Sequence, residues 1–188
     1  MKLCKILVVA FVMLLLGTTG VFAEGQHDFR KTDWGMTKDE VIKAEGDNYS
    51  VDGDNIYYLG TVDNKECFII YMFKDGLLNS AVYAFIHLRS NQNDYIDDYN
   101  VLKALLNKKY GEPNFDNINW KDSSYEDNQD KYGMAVGKGH LEYKCSWNND
   151  RTLIILGLTG EDDKINLVVV YSNIDILTSD SSSDDEEL

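Results

Sequence analysis

The chain has 188 residues, with 18 basic against 32 acidic side chains and a net charge of −14, and it is 44% hydrophobic and 12% aromatic. Such a charge repels nucleic acid and anionic membranes, so neither is expected as a partner. The apolar and aromatic content is that of a folded globular protein, and the length allows one domain or two small tandem units.

Residues 1–23 read as a secretory signal peptide. Lys2 and Lys5 form a basic start, an apolar run follows from Ile6 to Leu16, and Val21-Phe-Ala23 places small or apolar residues before a cleavage point. The apolar run is shorter than the ~20 residues that span a bilayer, so no membrane span is expected after cleavage, and the protein is expected to be secreted or periplasmic. Cys4 lies in the basic start rather than at the cleavage point, which places no lipid on it. Loss of the leader removes two lysines and deepens the net charge to −16.

The stretch Phe29-Arg-Lys-Thr-Asp-Trp-Gly-Met-Thr-Lys-Asp-Glu-Val41 opens the mature chain. With Thr37 as N-cap, Glu40 falls three positions on and completes a capping box, and Asp39 and Glu40 sit where the helix dipole favours negative charge. The stretch therefore predicts a helix that Gly46 ends, with Trp34 packing the incoming chain. Strands are predicted at 56–62, 66–73 and 77–88, with Asp75-Gly76 as a two-residue hairpin turn. A second helix spans about 93–110, where Tyr95, Tyr99, Leu102 and Leu106 recur at helical spacing and Gly111 and Pro113 stop it. Residues 114–131 read as a polar connection, and 133–139, glycine-rich but unlike a phosphate loop in spacing, as a flexible lead-in. Strands follow at 139–147, 152–159 and 165–172. The tail at 179–188, Ser-Asp-Ser-Ser-Ser-Asp-Asp-Glu-Glu-Leu, is expected to be disordered.

This order predicts an α+β fold of two tandem repeats, 24–92 and 93–178, each a helix plus a three-stranded antiparallel sheet. The Trp34-Gly-Met-Thr-Lys-Asp-Glu-Val41 entry, the helix exit at 105–113 and the final hairpin at 147–152 resemble small exported bacterial proteins with tandem helix-plus-sheet repeats. β-Lactamase inhibitory protein and the small lipoproteins of outer-membrane assembly are such proteins. The resemblance implies a fold and an exported binding role, and transfers no residue role.

Candidate chemistry is sparse. His27, His87 and His140 show no metal-ligand spacing, no nucleophile elbow occurs, and neither Cys67 nor Cys145 has a catalytic signature around it; no metal or cofactor is expected. The acidic turns at 52–55 and 161–163 lack a calcium-loop pattern and read as solvated turns. Cys67 and Cys145 lie in corresponding strands, so either a disulfide or two buried free thiols fit the pattern.

The sheet is more informative. If Phe73 opposes Leu78 and alternation continues, one face carries Cys67, Ile69, Tyr71, Phe73, Leu78, Val82, Ala84 and Ile86, and the other carries Phe68, Ile70, Met72, Ala81, Tyr83, Phe85 and His87. Both faces are apolar, yet only one can lie under helices. The second must be buried against the other repeat or meet a partner. The expected function is a non-enzymatic protein-binding or inhibitor-like module, binding through Phe68, Met72, Tyr83, Phe85 and His87. Acidic loops around that patch would select a basic partner. The alternative is a small hydrolase whose carboxylates converge only in three dimensions.

Overall fold

The computed structural model describes residues 27–175, so the expected signal peptide and acidic tail lie outside the described residues. In chain order the elements are α1 (Lys38–Glu45), β1 (Ser50–Asp52), β2 (Asn55–Val62), β3 (Lys65–Lys74), β4 (Leu77–Phe85), α2 (Asp94–Tyr110), β5 (Phe115–Trp120), a 3₁₀ turn (Gln129–Lys131), α3 (Tyr132–Gly137), β6 (Leu141–Asn148), β7 (Thr152–Glu161) and β8 (Lys164–Asn173). The capping box is present: Glu40 N–H donates to Thr37 Oγ1 at 3.4 Å, and Thr37 N–H donates to Glu40 Oε2 at 2.8 Å. Gly46 and Gly111 close α1 and α2 at positive φ, a conformation glycine adopts without steric penalty.

The strands form a single antiparallel sheet in the order β1-β2-β3-β4-β8-β7-β6-β5. The expectation of two separate helix-plus-three-strand repeats is therefore wrong. β4 and β8 pair directly, from Ser80 opposite Ser172 to Ala84 opposite Val168, and the sheet runs unbroken through that junction. The physical reason is that both strands are apolar on both faces, as central strands are, and joining them edge to edge satisfies backbone groups that two separate sheets would leave open. Two further strands escape a hydrophobicity reading. β1 is fully exposed and β5 is largely polar, yet each pairs along its whole length. The stretch at 133–139, expected to be a flexible lead-in, instead forms most of the short helix α3 and buries Ala135 and Val136.

Hairpin turns carry the acids. Asp63-Asn64, Asp75-Gly76 and Asp162-Asp163 all have positive φ at both central residues, as type I′ turns require. The acidic turn at 161–163 thus has a backbone role.

All three helices pack on one face of the sheet. On that inner face lie Ile56, Cys67, Tyr71, Trp147, Leu156 and Leu158, each at 1% exposure or less. α2 presents Tyr99, Leu102 and Leu106, and the Tyr99 hydroxyl donates to Cys145 Sγ at 3.2 Å. The arm before α1 belongs to the same core. Phe29 packs against Tyr71, Tyr83 and Tyr171 with ring centroids 4.9–5.5 Å away, and Trp34 Nε1 donates to Thr152 Oγ1 at 2.9 Å. No helix among the described residues is long and apolar enough to cross a membrane.

Candidate functional site: the uncovered face of the sheet

The hairpin of β3 and β4 decides which side chains share a face. Lys74 pairs with Leu77 and Phe73 with Leu78, but Met72 pairs with Ser80, so Asn79 is one extra residue in β4. A bulge of this kind shifts the register by one and exchanges the two faces beyond it. Ile69 now opposes Tyr83 and Cys67 opposes Phe85 on the inner face, while Phe68 opposes Ala84 and Ile70 opposes Val82 on the outer face.

The five residues expected to form one patch are therefore divided. Phe68 and Met72 lie on the outer face, 42% and 38% exposed. Tyr83 and Phe85 lie on the inner face, packed against the core. His87 follows them on the inner side, stacked on Tyr95 of α2.

The true outer set can be read row by row across the strands. One row runs Leu59, Phe68, Ala84, Val168, Gly157, Lys144 and Asn117; the next runs Tyr57, Ile70, Val82, Val170, Ile155, Ser146 and Phe115. These rows make an apolar stripe from β2 to β7. On one side the next row is largely polar, Thr61, Glu66, Asn166, Thr159, Glu142 and Asn119, with Ile86 opposite Glu66; on the other the row is mixed, Met72, Ser80, Ser172, Leu153 and Asn148. No helix among the described residues lies over this stripe, and Leu59 at its end is 64% exposed. An exposed apolar stripe with hydroxyl, amide and charged side chains along its borders resembles the make-up of a protein interface.

Charge on this face is nearly balanced. Alternation places Asp52, Glu66, Glu142 and Glu161 on it against Lys74, Lys144 and Lys164, a small imbalance for a chain of net charge −14. The acidic surplus lies elsewhere. Sequence reading missed Val82, Ala84, Val168, Val170 and Ile155; the uninterrupted apolar run at 167–171 was the signal that β8 is a central strand.

Two polar clefts were the other candidates. At the corner where β2, β3 and the end of β4 meet α2, a cleft of about 480 Å³ is lined by Thr61, Asn64, Lys65, Glu66, His87 and Arg89. Beneath it the Asp98 carboxylate, 5% exposed, receives Arg89 Nε at 2.8 Å and Arg89 Nη2 at 2.7 Å, and lies 2.6 Å from His87 Nε2 and 3.6 Å from Lys65 Nζ. Burial pushes this carboxyl up, but hydrogen bonds from Arg89 and His87 outweigh it and hold it below the ordinary aspartate value. An aspartate beside a histidine is half of a base-activating arrangement. Here, however, His87 Nε2 is engaged by Asp98, and Nδ1 is buried with no hydrogen-bond partner. The cluster fastens α2 to the sheet and presents no nitrogen to a substrate.

The second cleft, about 430 Å³, lies beside α1 and is lined by Arg30, Glu45, Tyr58, Gly60 and Ile69 among others. Its Glu45 carboxylate is buried and takes Arg30 Nε at 3.1 and 3.2 Å and Nη2 at 3.1 Å. Burial raises this carboxyl and the Arg30 hydrogen bond lowers it further, so its proton affinity falls below the ordinary glutamate value. Both buried carboxylates are thus held as anions by arginine, the opposite of a proton-donating catalytic acid. Among the described residues, no group of three or more His, Cys, Asp and Glu side chains is arranged to hold a metal ion.

Cys67 and Cys145 are both free and buried. The order β3-β4-β8-β7-β6 puts four strand spacings, about 19 Å, between their strands, well beyond disulfide reach. The disulfide alternative is thereby corrected to two buried thiols.

Comparison of the chain with protein-family models, with curated proteins and with solved structures finds no match.

Proposed function

We propose that this protein is an exported, non-enzymatic binding module whose working surface is the uncovered face of its sheet. The observation that carries the reading is the apolar stripe from Leu59 and Phe68 to Ile155, which no helix among the described residues covers and whose bordering rows mix polar side chains with Met72, Leu153 and Ile86. Contiguous apolar surface left uncovered by the rest of the fold is a mark of an interaction site. Phe68 and Met72 supply contact area, and the Thr, Ser and Asn rows supply hydrogen bonds at the rim.

The near balance of charge on the face favours a partner recognised by apolar shape over one chosen for basic charge. Strong charge steers a partner to the surface that carries it, and the acids of this chain lie mainly off the stripe.

A photo-crosslinking amino acid placed at position 82, in the middle of the face, tests the reading in intact cells, with position 108 on the exposed surface of α2 as control. Crosslinked protein species at position 82 and none at 108 are expected. Equal yields at both positions, or none at 82, would remove the binding site.

A further inference from the structure

We infer that residues 86–89, which join β4 to α2, form a substrate-like inhibitory segment for a serine endopeptidase whose primary pocket takes a large aliphatic side chain, with Leu88 as the residue that fills it. The inference stands on Leu88 and its anchors and does not rest on the uncovered face of the sheet.

The segment alternates as an extended strand does. Ile86 and Leu88 are 38% and 92% exposed, while the side chains of His87 and Arg89 turn in to Asp98 of α2. A lone exposed leucine is ordinary surface. What sets Leu88 apart is how its neighbours are held. The Tyr95 hydroxyl donates to the His87 carbonyl at 3.3 Å and accepts the Arg89 N–H at 3.2 Å, so one group ties the peptide units on both sides of Leu88. His87 Nε2 lies 2.6 Å from Asp98 Oδ2, and Arg89 donates to the same carboxylate at 2.8 and 2.7 Å. Upstream, the Ile86 N–H donates to the Glu66 carbonyl at 3.1 Å. Between these anchors the Leu88 N–H and carbonyl have no hydrogen-bond partner among the described residues.

A protein that binds an extended segment takes affinity from its backbone groups and specificity from alternate side chains. Leu88 offers a free N–H, a free carbonyl and a free side chain at one position, which is what an endopeptidase binds at the bond it cuts. Ordering a loose loop on binding costs conformational entropy, and this segment is ordered beforehand.

The anchors also oppose hydrolysis. Attack by the protease serine on the Leu88 carbonyl forms an ester bond, breaks the Leu88–Arg89 peptide bond and passes the serine proton through the catalytic histidine to the Arg89 amine. That amine cannot diffuse away, because the Arg89 side chain is gripped by Asp98 and the chain enters α2 at Asp94. Held beside the ester, it re-attacks, restoring the peptide and the free serine before water enters.

Chymotrypsin and subtilisin, serine endopeptidases that accept large apolar side chains, serve as probes. Hydrolysis of a small chromogenic peptide is followed with the purified chain added at up to roughly 100 μM, and mass spectrometry locates any cut. Competitive inhibition of at least one enzyme is expected, with the chain intact or cut only between residues 88 and 89. Leu88→Asp should weaken inhibition by roughly tenfold or more and leave the thermal midpoint at the wild-type value. Tyr95→Phe, which lacks only the hydroxyl, should raise the rate of cutting between 88 and 89 about tenfold. Inhibition of neither enzyme, inhibition unchanged by Leu88→Asp, rapid cutting of the wild-type chain at 88–89, or a folded Tyr95→Phe chain as resistant as wild type would each overturn the inference. Should Tyr95→Phe not fold, the Leu88→Asp comparison decides. None of these outcomes bears on the crosslinking at position 82.

Discussion

Asp98 Oδ2 lies 2.6 Å from His87 Nε2, and the same carboxylate is gripped by Arg89. Because the carboxyl is held below its ordinary value, these pairs stabilise the fold above the unfolded aspartate value of about 3.9 and cease to do so as pH falls through the lower folded value. Asp98→Asn removes the acceptor of the Arg89 and His87 hydrogen bonds and the counter-charge of Lys65 and should cost roughly 1–3 kcal/mol at neutral pH. Urea unfolding at pH 7 and again well below pH 4 checks this. The gap between wild type and variant should close in acid, and a gap independent of pH would refute the assignment.

The bulge at Asn79 predicts opposite outcomes for two aromatic residues whose strands pair. Tyr83 packs against Phe29 and Tyr171 beneath the helices, so Tyr83→Ala should cost about 3 kcal/mol or more. Phe68 on the uncovered face should lose only about 1 kcal/mol as Ala when measured on dilute, monomeric protein. Equal losses at the two positions would mean that the register, and with it the division of faces, is mistaken.

Burial pushes the Cys67 thiol up to about 11 and raises Cys145 as well, so neither forms thiolate readily at neutral pH. In protein beginning after Ala23, both should resist a thiol-reactive dye while folded. Both should react in denaturant without any reductant. Failure to titrate two thiols in denaturant would indicate an oxidised cysteine.

Gly160 lies where α3 crosses β7. A Cβ there would stand 2.2 Å from the Val136 carbonyl oxygen and 2.8 Å from Gly137 Cα, and both obstacles are backbone. Gly160→Ala must push α3 off the sheet and should destabilise by about 1–3 kcal/mol. Gly157→Ala, whose nearest neighbour is the Val168 side chain at 3.8 Å, is the control and should fold like wild type in thermal unfolding.

Much of the local structure was legible in the chain itself. The Thr37–Glu40 box, the spacing of Tyr99, Leu102 and Leu106, the glycine stops at 46 and 111 and the Asp75-Gly76 turn each specify backbone through groups a few residues apart, and the structure keeps all of them. The apolar alternation of β2, β3, β6 and β7 likewise showed that strands were present. Four things depended on the tertiary structure. The polar strand β5 exists because β6 offers it an edge, not because its own residues favour extension. The pairing of β4 with β8 unites segments some ninety residues apart, and the grouping of Lys65, His87 and Arg89 around Asp98 brings together four residues with no common local pattern. Above all, one unpaired residue, Asn79, moved Tyr83 and Phe85 inward and Val82 and Ala84 outward. Side chains in a strand alternate with a period of two, so the residue types reveal that two faces exist, while the identity of each face turns on a single-residue register that the packed sheet selects.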